Sequence, residues 1–282
     1  MSKAAELHQA QVANWDGPMG EVWAASEART DKGLIPVSNA LFRLADVEPG
    51  EVVLDVGCGG GATTEQLAMD VGSTGRVVGL DVSKTLLALA EKRLDGTAQA
   101  EFLHADAATV SFPKPMFDLL FSRFGVMFFG DPVAAFTNLH RAMKPEGRLA
   151  FACWRAAADN LWVNLPLRAA MTVVPPFPRA TGYEPGPFAF GDDAYVARTL
   201  TEAGFTAPKF KQLDFTMNFA GLGLDAARAV CGVGPLGRIL RDQPDDIKAQ
   251  ALAAVAEAIA PYAVEEQVRL PASVWLVTAG AS

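Results

Sequence analysis

The chain has 282 residues, of which 50% are hydrophobic and 20% charged, with a formal net charge of −8. The length suits one large α/β domain with insertions, and the acidic balance argues against a protein that binds nucleic acid or anionic lipid through a basic face. Without a long apolar run, a secretion signal or a disulfide framework, we expect a cytoplasmic protein with no membrane span.

About fifty residues ahead of the first strand are predicted to be helical. From about Glu51 to Arg155, β-branched runs then alternate with helical patterns, and the predicted strands are EVVLDVG, GRVVGLD, AEFLHAD, FDLLFSR and GRLAFACW. Ser83 is predicted to cap one helix, and Asp131 with Pro132 to begin another that runs to about Met143. A turn is predicted at KPEG. This alternation favours a mainly parallel sheet with right-handed crossovers.

Residues 156–195 interrupt the alternation with six prolines, which is typical of a lid or binding loop. The pattern then returns, with a predicted helix ending at Gly204, a strand at 208–216, a mostly helical segment at about 224–262 and a strand at 268–278. Pro271 suggests that the last strand lies at an edge of the sheet.

The most specific pattern is VVLDVGCGGG at residues 52–61, in which a buried strand leads through glycines into a helix. The lysine of a phosphate-binding NTPase loop is absent, and the glycine spacing differs from G-x-G-x-x-G. Asp55, two residues before Gly57, suits a ligand with an ammonium or sulfonium group better than a pyrophosphate. Asp81 ends the second strand, where a carboxylate can bind both ribose hydroxyls. A structural role remains open for Asp55, and a helix-capping role for Asp81.

Five segments in order, VVLDVGCGGGATTEQLA, GRVVGLDVS, HADA, FDLLFSRFGVMFF and RAMKPEGRLAF, closely resemble class I S-adenosylmethionine-dependent methyltransferases. The resemblance covers roughly Pro49 to Trp154 and is closest to the ubiquinone/menaquinone-biosynthesis-type branch. It implies an α/β fold with a Rossmann-like seven-stranded sheet of order 3-2-1-4-5-7-6, strand 7 being antiparallel. The segments 208–216 and 268–278 would supply strands 6 and 7.

The resemblance also implies a domain organisation. Residues 1–50 would be an N-terminal helical preamble or lid, 51–155 the core that binds S-adenosylmethionine, and 156–195 a lid insert. Residues 196–282 would complete the sheet domain, with a helical acceptor-side insert at about 224–262.

Eleven residues would bind S-adenosylmethionine by the same resemblance. The glycine loop would face the methionine end, the second strand's end the ribose, the third strand's end the adenine, and the fourth strand's end the methionine part and the acceptor. In chain order they are Asp55, Gly57, Cys58, Gly59, Gly61, Asp81, Val82, Asp106, Ala107, Ser122 and Arg123. Plainer roles stay open for Asp106 as a helix cap and for Arg123 as a salt-bridge partner.

Aromatic residues are the candidates for binding the methyl acceptor, and they favour a small apolar or aromatic molecule. Those singled out are Trp15, Trp23, Phe128, Trp154 and Tyr183, and Phe129, Trp162, Phe177 and Phe188 could also contribute. The preamble stretch around the two tryptophans and GPFAFGDD at 186–193 are similar to a methyltransferase subgroup and its lid. Any of these aromatics could instead be plain core.

No catalytic base is predicted. His140 is expected to pack on a helix face, His8 to lie in solvent, and the orientation of His104 stays open. No metal-binding pattern occurs, and a small-molecule acceptor is the only partner predicted. The alternatives are an enzyme of another reaction class on this fold (a decarboxylase or an aminopropyl transferase), a nicotinamide oxidoreductase, and a non-catalytic protein that binds S-adenosylmethionine.

Overall fold

The computed structural model describes residues 3–175 and 183–282, with side chains from residue 6 onward. Contacts divide the chain into two units. The first comprises Met1–Trp154, Tyr183–Leu213 and Val274–Ser282, and the second comprises Arg155–Gly182 and Asp214–Ser273. The predicted preamble therefore shares a unit with the predicted core, whereas the predicted lid insert is divided between the two units.

The sheet follows the predicted order. Its strands are β1 (Val52–Val56), β2 (Arg76–Asp81), β3 (Ala100–His104), β4 (Phe117–Arg123), β5 (Met143–Trp154), β6 (Thr206–Ala220), β7 (Ala263–Val264) and β8 (Gln267–Gly280). The path is β3-β2-β1-β4-β5-β8-β6, with the short β7 paired to β8. Strands β1 to β5 pair in parallel and β8 runs antiparallel to β5. The Rossmann-like order and the antiparallel strand are thus confirmed, with β8 in the place predicted for strand 7.

Ten α-helices are present among the described residues. They are α1 (Lys3–Trp15), α2 (Pro18–Ala45), α3 (Ala62–Val71), α4 (Lys84–Arg93), α5 (Pro132–His140), α6 (Leu161–Ala170), α7 (Asp193–Glu202), α8 (Gly223–Cys231), α9 (Pro235–Arg241) and α10 (Asp245–Ile259). Side chains cap the N-termini of three of them, α4, α5 and α7. The Ser83 hydroxyl accepts from the N–H of Leu86, and the Asp131 carboxylate accepts from the N–H of Ala134. Both predicted caps are therefore confirmed.

Helix α2 combines two differently packed halves. Its C-terminal half is anchored in the core, where Val37, Leu41 and Ala45 are fully buried. Pro36 lies inside the helix and cannot donate the backbone hydrogen bond of its turn, so the helix is weakened at the boundary between the halves. The N-terminal half runs past α4, where Gly20 lies against Ser83.

Two boundary predictions need correction. KPEG is not a turn between elements but part of β5, inside a bulge between Phe117↔Met143 and Leu119↔Arg148. The Lys144 ammonium donates to both Asp118 oxygens at 2.8 Å, which fixes the bulge to β4. Helix α5 ends at His140, three residues before the predicted end.

Pro271 also does not mark an edge strand. Strand β8 lies inside the sheet between β5 and β6. Its pairing with β5 covers Val274 to Gly280, so the proline precedes that ladder and removes no donor from it.

The core of the first unit is aromatic and lies on the side of the sheet where α5 and α7 contact each other. Phe136 is fully buried, and its ring lies about 6 Å from those of Phe151, Phe190 and Phe205. His140 packs edge-on against Phe205, and its Nε2 lies 2.6 Å from the carbonyl oxygen of Ala281. The predicted packing role of His140 is confirmed.

In the second unit, α10 packs against α6 and α8 through a stripe of apolar side chains at helical spacing, Ala251, Val255 and Ile259. Asn160, fully buried, joins this unit's chain segments because its Oδ1 accepts from the N–H of Ser273 and its Nδ2 donates to the Ser273 carbonyl. Within the described ranges, no helix has the length and apolar character needed to cross a membrane.

Candidate functional site

The glycine loop after β1 uses its N–H groups within the protein. Those of Gly57 and Cys58 donate to the carbonyl of Leu80, that of Gly59 donates to Asp81 Oδ2 at 2.9 Å, and that of Gly61 donates to Cys58. A loop that binds a pyrophosphate needs such donors to point at the ligand. These four N–H groups are therefore unavailable to an anion, whereas the first N–H groups of α3 have no side-chain cap.

Its glycines serve different purposes. A methyl group on Gly57 would lie 2.7 Å from Gly125 Cα, and one on Gly61 would lie 2.9 Å from the Ala90 side chain, so these two allow close packing. A methyl group on Gly59 would meet nothing within 4 Å, although its φ is +57°. Gly59 therefore borders open space, which a ligand can approach.

Asp55 is fully buried at the end of β1. Its Oδ2 accepts from the hydroxyls of Thr63 and Thr64 at 2.7 and 2.8 Å, while Oδ1 is buried without a hydrogen-bond partner among the described residues. Burial raises the pKa of this carboxyl group to about 6, and the two hydroxyls counteract the rise. The predicted site thus contains a buried carboxylate oxygen with unused hydrogen-bonding capacity.

Asp81 lies at the same edge of the sheet as Asp55 because β1 and β2 are parallel. Its Oδ2 accepts from Gly59 and its Oδ1 from the N–H of Ser83 at 2.9 Å. Burial raises its pKa, and these N–H groups oppose the rise. Burial also raises the pKa of the Cys58 thiol well above its usual value, which disfavours a reactive thiolate in the loop.

Asp106 follows β3 and has a partner that the sequence did not indicate. His8 Nε2 lies 2.6 Å from Asp106 Oδ2, and His8 Nδ1 accepts from the N–H of Gly130 at 3.4 Å. His8 therefore lies against the predicted adenine end of the site rather than in solvent. Asp106 Oδ1 also accepts from the N–H of Ala108, but a turn and not a helix follows, so the side chain does not cap a helix.

Ala107 and Val82 are the other two residues predicted to lie at the adenine end of the site. Ala107 is buried and its carbonyl accepts from Asn138, while Val82 is half-buried and its carbonyl lies 2.9 Å from His104 Nε2. The His104 imidazole therefore faces the backbone that follows β2.

The end of β4 is tied to β1 and to α2. The Ser122 hydroxyl donates to the Val56 carbonyl at 2.7 Å, so it is used within the sheet. Arg123 forms an ion pair with Asp31 and donates to the Ser38 hydroxyl at 2.9 Å. The salt-bridge alternative for Arg123 thus applies in this structure, and its guanidinium faces α2.

Phe124 follows directly and has a φ of +66°, a left-handed conformation that is uncommon for a bulky residue. Its ring stacks on Trp154 with centroids 4.7 Å apart. Strained residues often occur at functional sites, and this one lies where β4 leaves the sheet. No sequence pattern around Phe124 indicated this conformation.

Helix α2 contributes two carboxylates that the sequence analysis also missed. Glu27 lies so close to the glycine loop that a methyl group on Gly60 would overlap its carboxylate. Its Oε1 is 3.0 Å from Arg93 Nη1, and Asp31 Oδ2 is 3.8 Å from the same nitrogen. The site edge therefore holds a cluster of two acids and two arginines, Arg93 and Arg123.

Three of the predicted acceptor-side aromatics come together. Trp15 contacts both Trp23 and Phe128, with ring centroids 5.9 and 4.9 Å apart. Trp154 is buried, and its backbone N–H lies 3.4 Å from the sulfur of Met127, next to Phe128 in sequence. The rings of Trp15, Trp23 and Phe128 together provide an apolar wall.

Tyr183 is not brought to this wall. Its ring stacks on Tyr195 at 3.6 Å and its hydroxyl donates to Asp192. Phe177, another candidate, lies outside the described residues. No group of three or more His, Cys, Asp or Glu side chains suited to a metal occurs in the part of the chain that the structure describes.

Sequence comparison identifies the central segment. The family model described as "Methyltransferase domain" matches residues 54–151. A demethylmenaquinone methyltransferase from Bacillus licheniformis is 36% identical over 108 residues, which are 38% of this chain and 47% of that protein. A nocamycin O-methyltransferase from Saccharothrix syringae is 31% identical over 181 residues, 60% of this chain and 64% of that protein. The matches therefore span about half to two thirds of these relatives.

Solved structures with the same fold have low sequence identity. The YcgJ protein from Bacillus subtilis has a TM-score of 0.57 at 16% identity, covering 86% of this chain and 97% of that one. A phosphoethanolamine N-methyltransferase from Haemonchus contortus, in complex with S-adenosylhomocysteine, gives 0.54 at 16%, covering 87% and 53%. The [4+2]-cyclase SpnF gives 0.51 at 18%, covering 87% and 80%. These similarities establish the fold. The same fold also occurs in a cyclase.

Proposed function

Because residues 54–151 are a methyltransferase domain with the expected sheet, we propose that the chain is an S-adenosylmethionine-dependent methyltransferase. Its acceptor is a small apolar or aromatic molecule, and its second product is S-adenosylhomocysteine. The demethylmenaquinone and nocamycin methyltransferases among its relatives support a small organic acceptor. The apolar wall of Trp15, Trp23 and Phe128 supports the same class.

One observation carries the proposal: Asp55, Asp81 and Asp106 lie at or just after the carboxyl ends of the three adjacent parallel strands β1, β2 and β3. A row of carboxylates suits a nucleoside that carries hydroxyl, amino and cationic groups. It does not suit a pyrophosphate. The partnerless Oδ1 of Asp55 and the open space at Gly59 are consistent with a ligand at this edge.

When bound, S-adenosylmethionine supplies a methyl group on a sulfonium, which a nucleophilic atom of the acceptor attacks in line. The chain's own contribution is positioning and exclusion of water. Asp81 would accept from ribose hydroxyls and Asp106 from the adenine amino group, while α1 and α2 would cover the site with Trp15 and Trp23. No side chain is assigned as a base, since an acceptor with an acidic proton needs none.

Calorimetric titration of the full chain with S-adenosylmethionine, S-adenosylhomocysteine and NADH tests the cofactor. Binding of the first two and not of NADH is the expected result. Binding of NADH alone would overturn the proposal and would favour an oxidoreductase. If the chain binds none of the three, its domain does not act with this cofactor.

Transfer of a labelled methyl group tests the reaction class. A panel of hydroquinones, phenols and apolar enols should include labelled products, whereas simple alkyl amines should not be labelled. Cleavage of the cofactor without methylated product would contradict methyl transfer and would indicate another reaction on this fold.

A further inference from the structure

Helix α2 presents Glu27 to the loop at which the methionine end of the cofactor is expected. We propose that the Glu27 carboxylate binds the α-ammonium group of the cofactor's methionine moiety and so selects ligands that carry this group. This inference rests on the proposed function and assigns a binding residue to a helix outside the matched domain, which begins at residue 54.

The position of Glu27 is the first argument. A methyl group on Gly60 would overlap its Oε1 and lie 3.1 Å from Oε2, so the carboxylate is in contact with the turn after β1. A larger residue at position 60 would displace the carboxylate from this position. A ligand that approaches the neighbouring open space at Gly59 would therefore be beside this carboxylate.

The second argument is its unsatisfied hydrogen bonding. The Glu27 side chain is 13% exposed, and its Oε1 is buried and accepts no hydrogen bond. Arg93 Nη1 lies 3.0 Å away, but the two groups are not aligned as a hydrogen bond and Nη1 is itself unsatisfied. Buried charged groups are costly unless they are hydrogen-bonded. An ammonium group, with three N–H donors, would satisfy this oxygen.

The third argument compares Glu27 with the other acids of the site. The Asp55 side chain is fully buried and its Oδ2 is occupied by two threonine hydroxyls. Asp31 is engaged by Arg123. Burial raises the pKa of Glu27 while Arg93 opposes the rise, which is the behaviour of a carboxylate that a nearby cation would stabilise. Asp55 and Asp31 each keep one unsatisfied oxygen as well, and Glu27 is the acid whose carboxylate contacts Gly60 of the loop.

The weakened turn at Pro36 would allow Glu27 to move enough for the ligand to enter. The N-terminal half of α2, which carries Glu27, can shift while the half with Val37 and Leu41 stays in the core. Arg93 would then remain as the cation that keeps the carboxylate ionised in the ligand-free chain.

The test compares Glu27→Gln with Glu21→Gln, an exposed control on the same helix. S-adenosylhomocysteine carries the ammonium group, whereas 5′-methylthioadenosine has the same nucleoside and thioether without it. Loss of a charge-assisted hydrogen bond should weaken S-adenosylhomocysteine binding to Glu27→Gln by about 10- to 100-fold. Binding of 5′-methylthioadenosine, followed through the unfolding midpoint at high ligand concentration, should change less than about twofold.

Each other outcome has a distinct meaning. Unchanged or tighter binding of S-adenosylhomocysteine to Glu27→Gln would overturn the inference, since the carboxylate would then be neutral to the ligand or would block it. An equal loss for both ligands would also overturn it and would indicate a purely structural role. Failure of the wild type to bind S-adenosylhomocysteine would instead overturn the proposed function, and this inference with it.

Discussion

Replacing Asp55 by Asn should stabilise the ligand-free protein at neutral pH. Burial raises the pKa of Asp55 from an ordinary value of 3.8 to about 6. Between these values the unfolded chain releases its proton while the folded chain keeps it, so the free energy of unfolding falls as the pH rises. The loss begins near pH 4, is complete above about pH 6, and amounts to about 3 kcal/mol in total.

The magnitude for the variant is smaller than this total. Asn retains one oxygen for the hydroxyls of Thr63 and Thr64, but its amide N–H groups replace the partnerless Oδ1 and need acceptors of their own. We therefore expect Asp55→Asn to gain about 1–2 kcal/mol over the wild type at pH 8. The difference in free energy of unfolding between the variant and the wild type should fall by about 2 kcal/mol between pH 8 and pH 4. At pH 4 the variant should therefore be no more stable than the wild type, or less stable.

Urea denaturation of the ligand-free protein at pH 4 and pH 8 measures both quantities. Asp95→Asn, at an exposed position, serves as the control for removing one carboxylate. The reasoning is refuted by a variant that is less stable than the wild type at pH 8, or by a difference between variant and wild type that does not change with pH. Weaker binding of S-adenosylmethionine by the stabilised variant would be typical of a site that trades stability for function.

Four further substitutions test other parts of the site. Gly61→Ala, with a φ of +83° and a neighbouring Cβ at 2.9 Å, should lower the free energy of unfolding by about 2 kcal/mol or more. Gly59→Ala, with no atom within 4 Å, should cost about 1 kcal/mol yet weaken S-adenosylhomocysteine binding, and equal losses of stability in urea would contradict this contrast. Ser83→Ala removes the cap of α4 and should cost about 1 kcal/mol in urea denaturation, and a loss near zero would show that the cap is not needed. His8→Ala removes the contact of α1 with the end of β3, so amide hydrogen exchange should rise in α1 but not in β1, and unchanged exchange in α1 would count against that contact.

The sheet could be predicted from the sequence because its strands are short apolar runs bounded by strong signals. Ser83 and Asp131 begin helices through interactions with residues three positions away, which a local pattern can reveal. KPEG has the composition of a turn, yet both of its flanks continue along β4, and composition does not report such a bulge. The position of Pro271 depends on which strands flank β8, which is likewise not a local property.

Glycine spacing was a weaker guide than it first suggested. Gly57, Gly59 and Ala62 also satisfy the G-x-G-x-x-A form of the dinucleotide pattern, so spacing alone does not exclude that class. Asp55 is the better discriminator, because a carboxylate at the strand end is unfavourable beside a pyrophosphate. A carboxylate at a strand end thus carried more chemical information than the number of residues between glycines.

The contacts made by the preamble could not be predicted. His8 meets Asp106 across 98 positions of sequence, and Asp31 meets Arg123 across 92. An amphipathic pattern shows which face of a helix is polar, but it does not show which polar residue meets another element. Glu27 is therefore indistinguishable in the sequence from any solvated glutamate on the same helix.

The two halves of α2 also have a consequence for how such a protein can diverge. Residues 37–45 are constrained by the interior, so most exchanges there reduce the amount of folded protein. Residues 18–35 lie before the break at Pro36 and are mostly outside the interior, so exchanges there alter what the site accepts at little risk to folding. Substitutions in the N-terminal half of α2 can thus change ligand preference during evolution, while the C-terminal half keeps the fold unchanged.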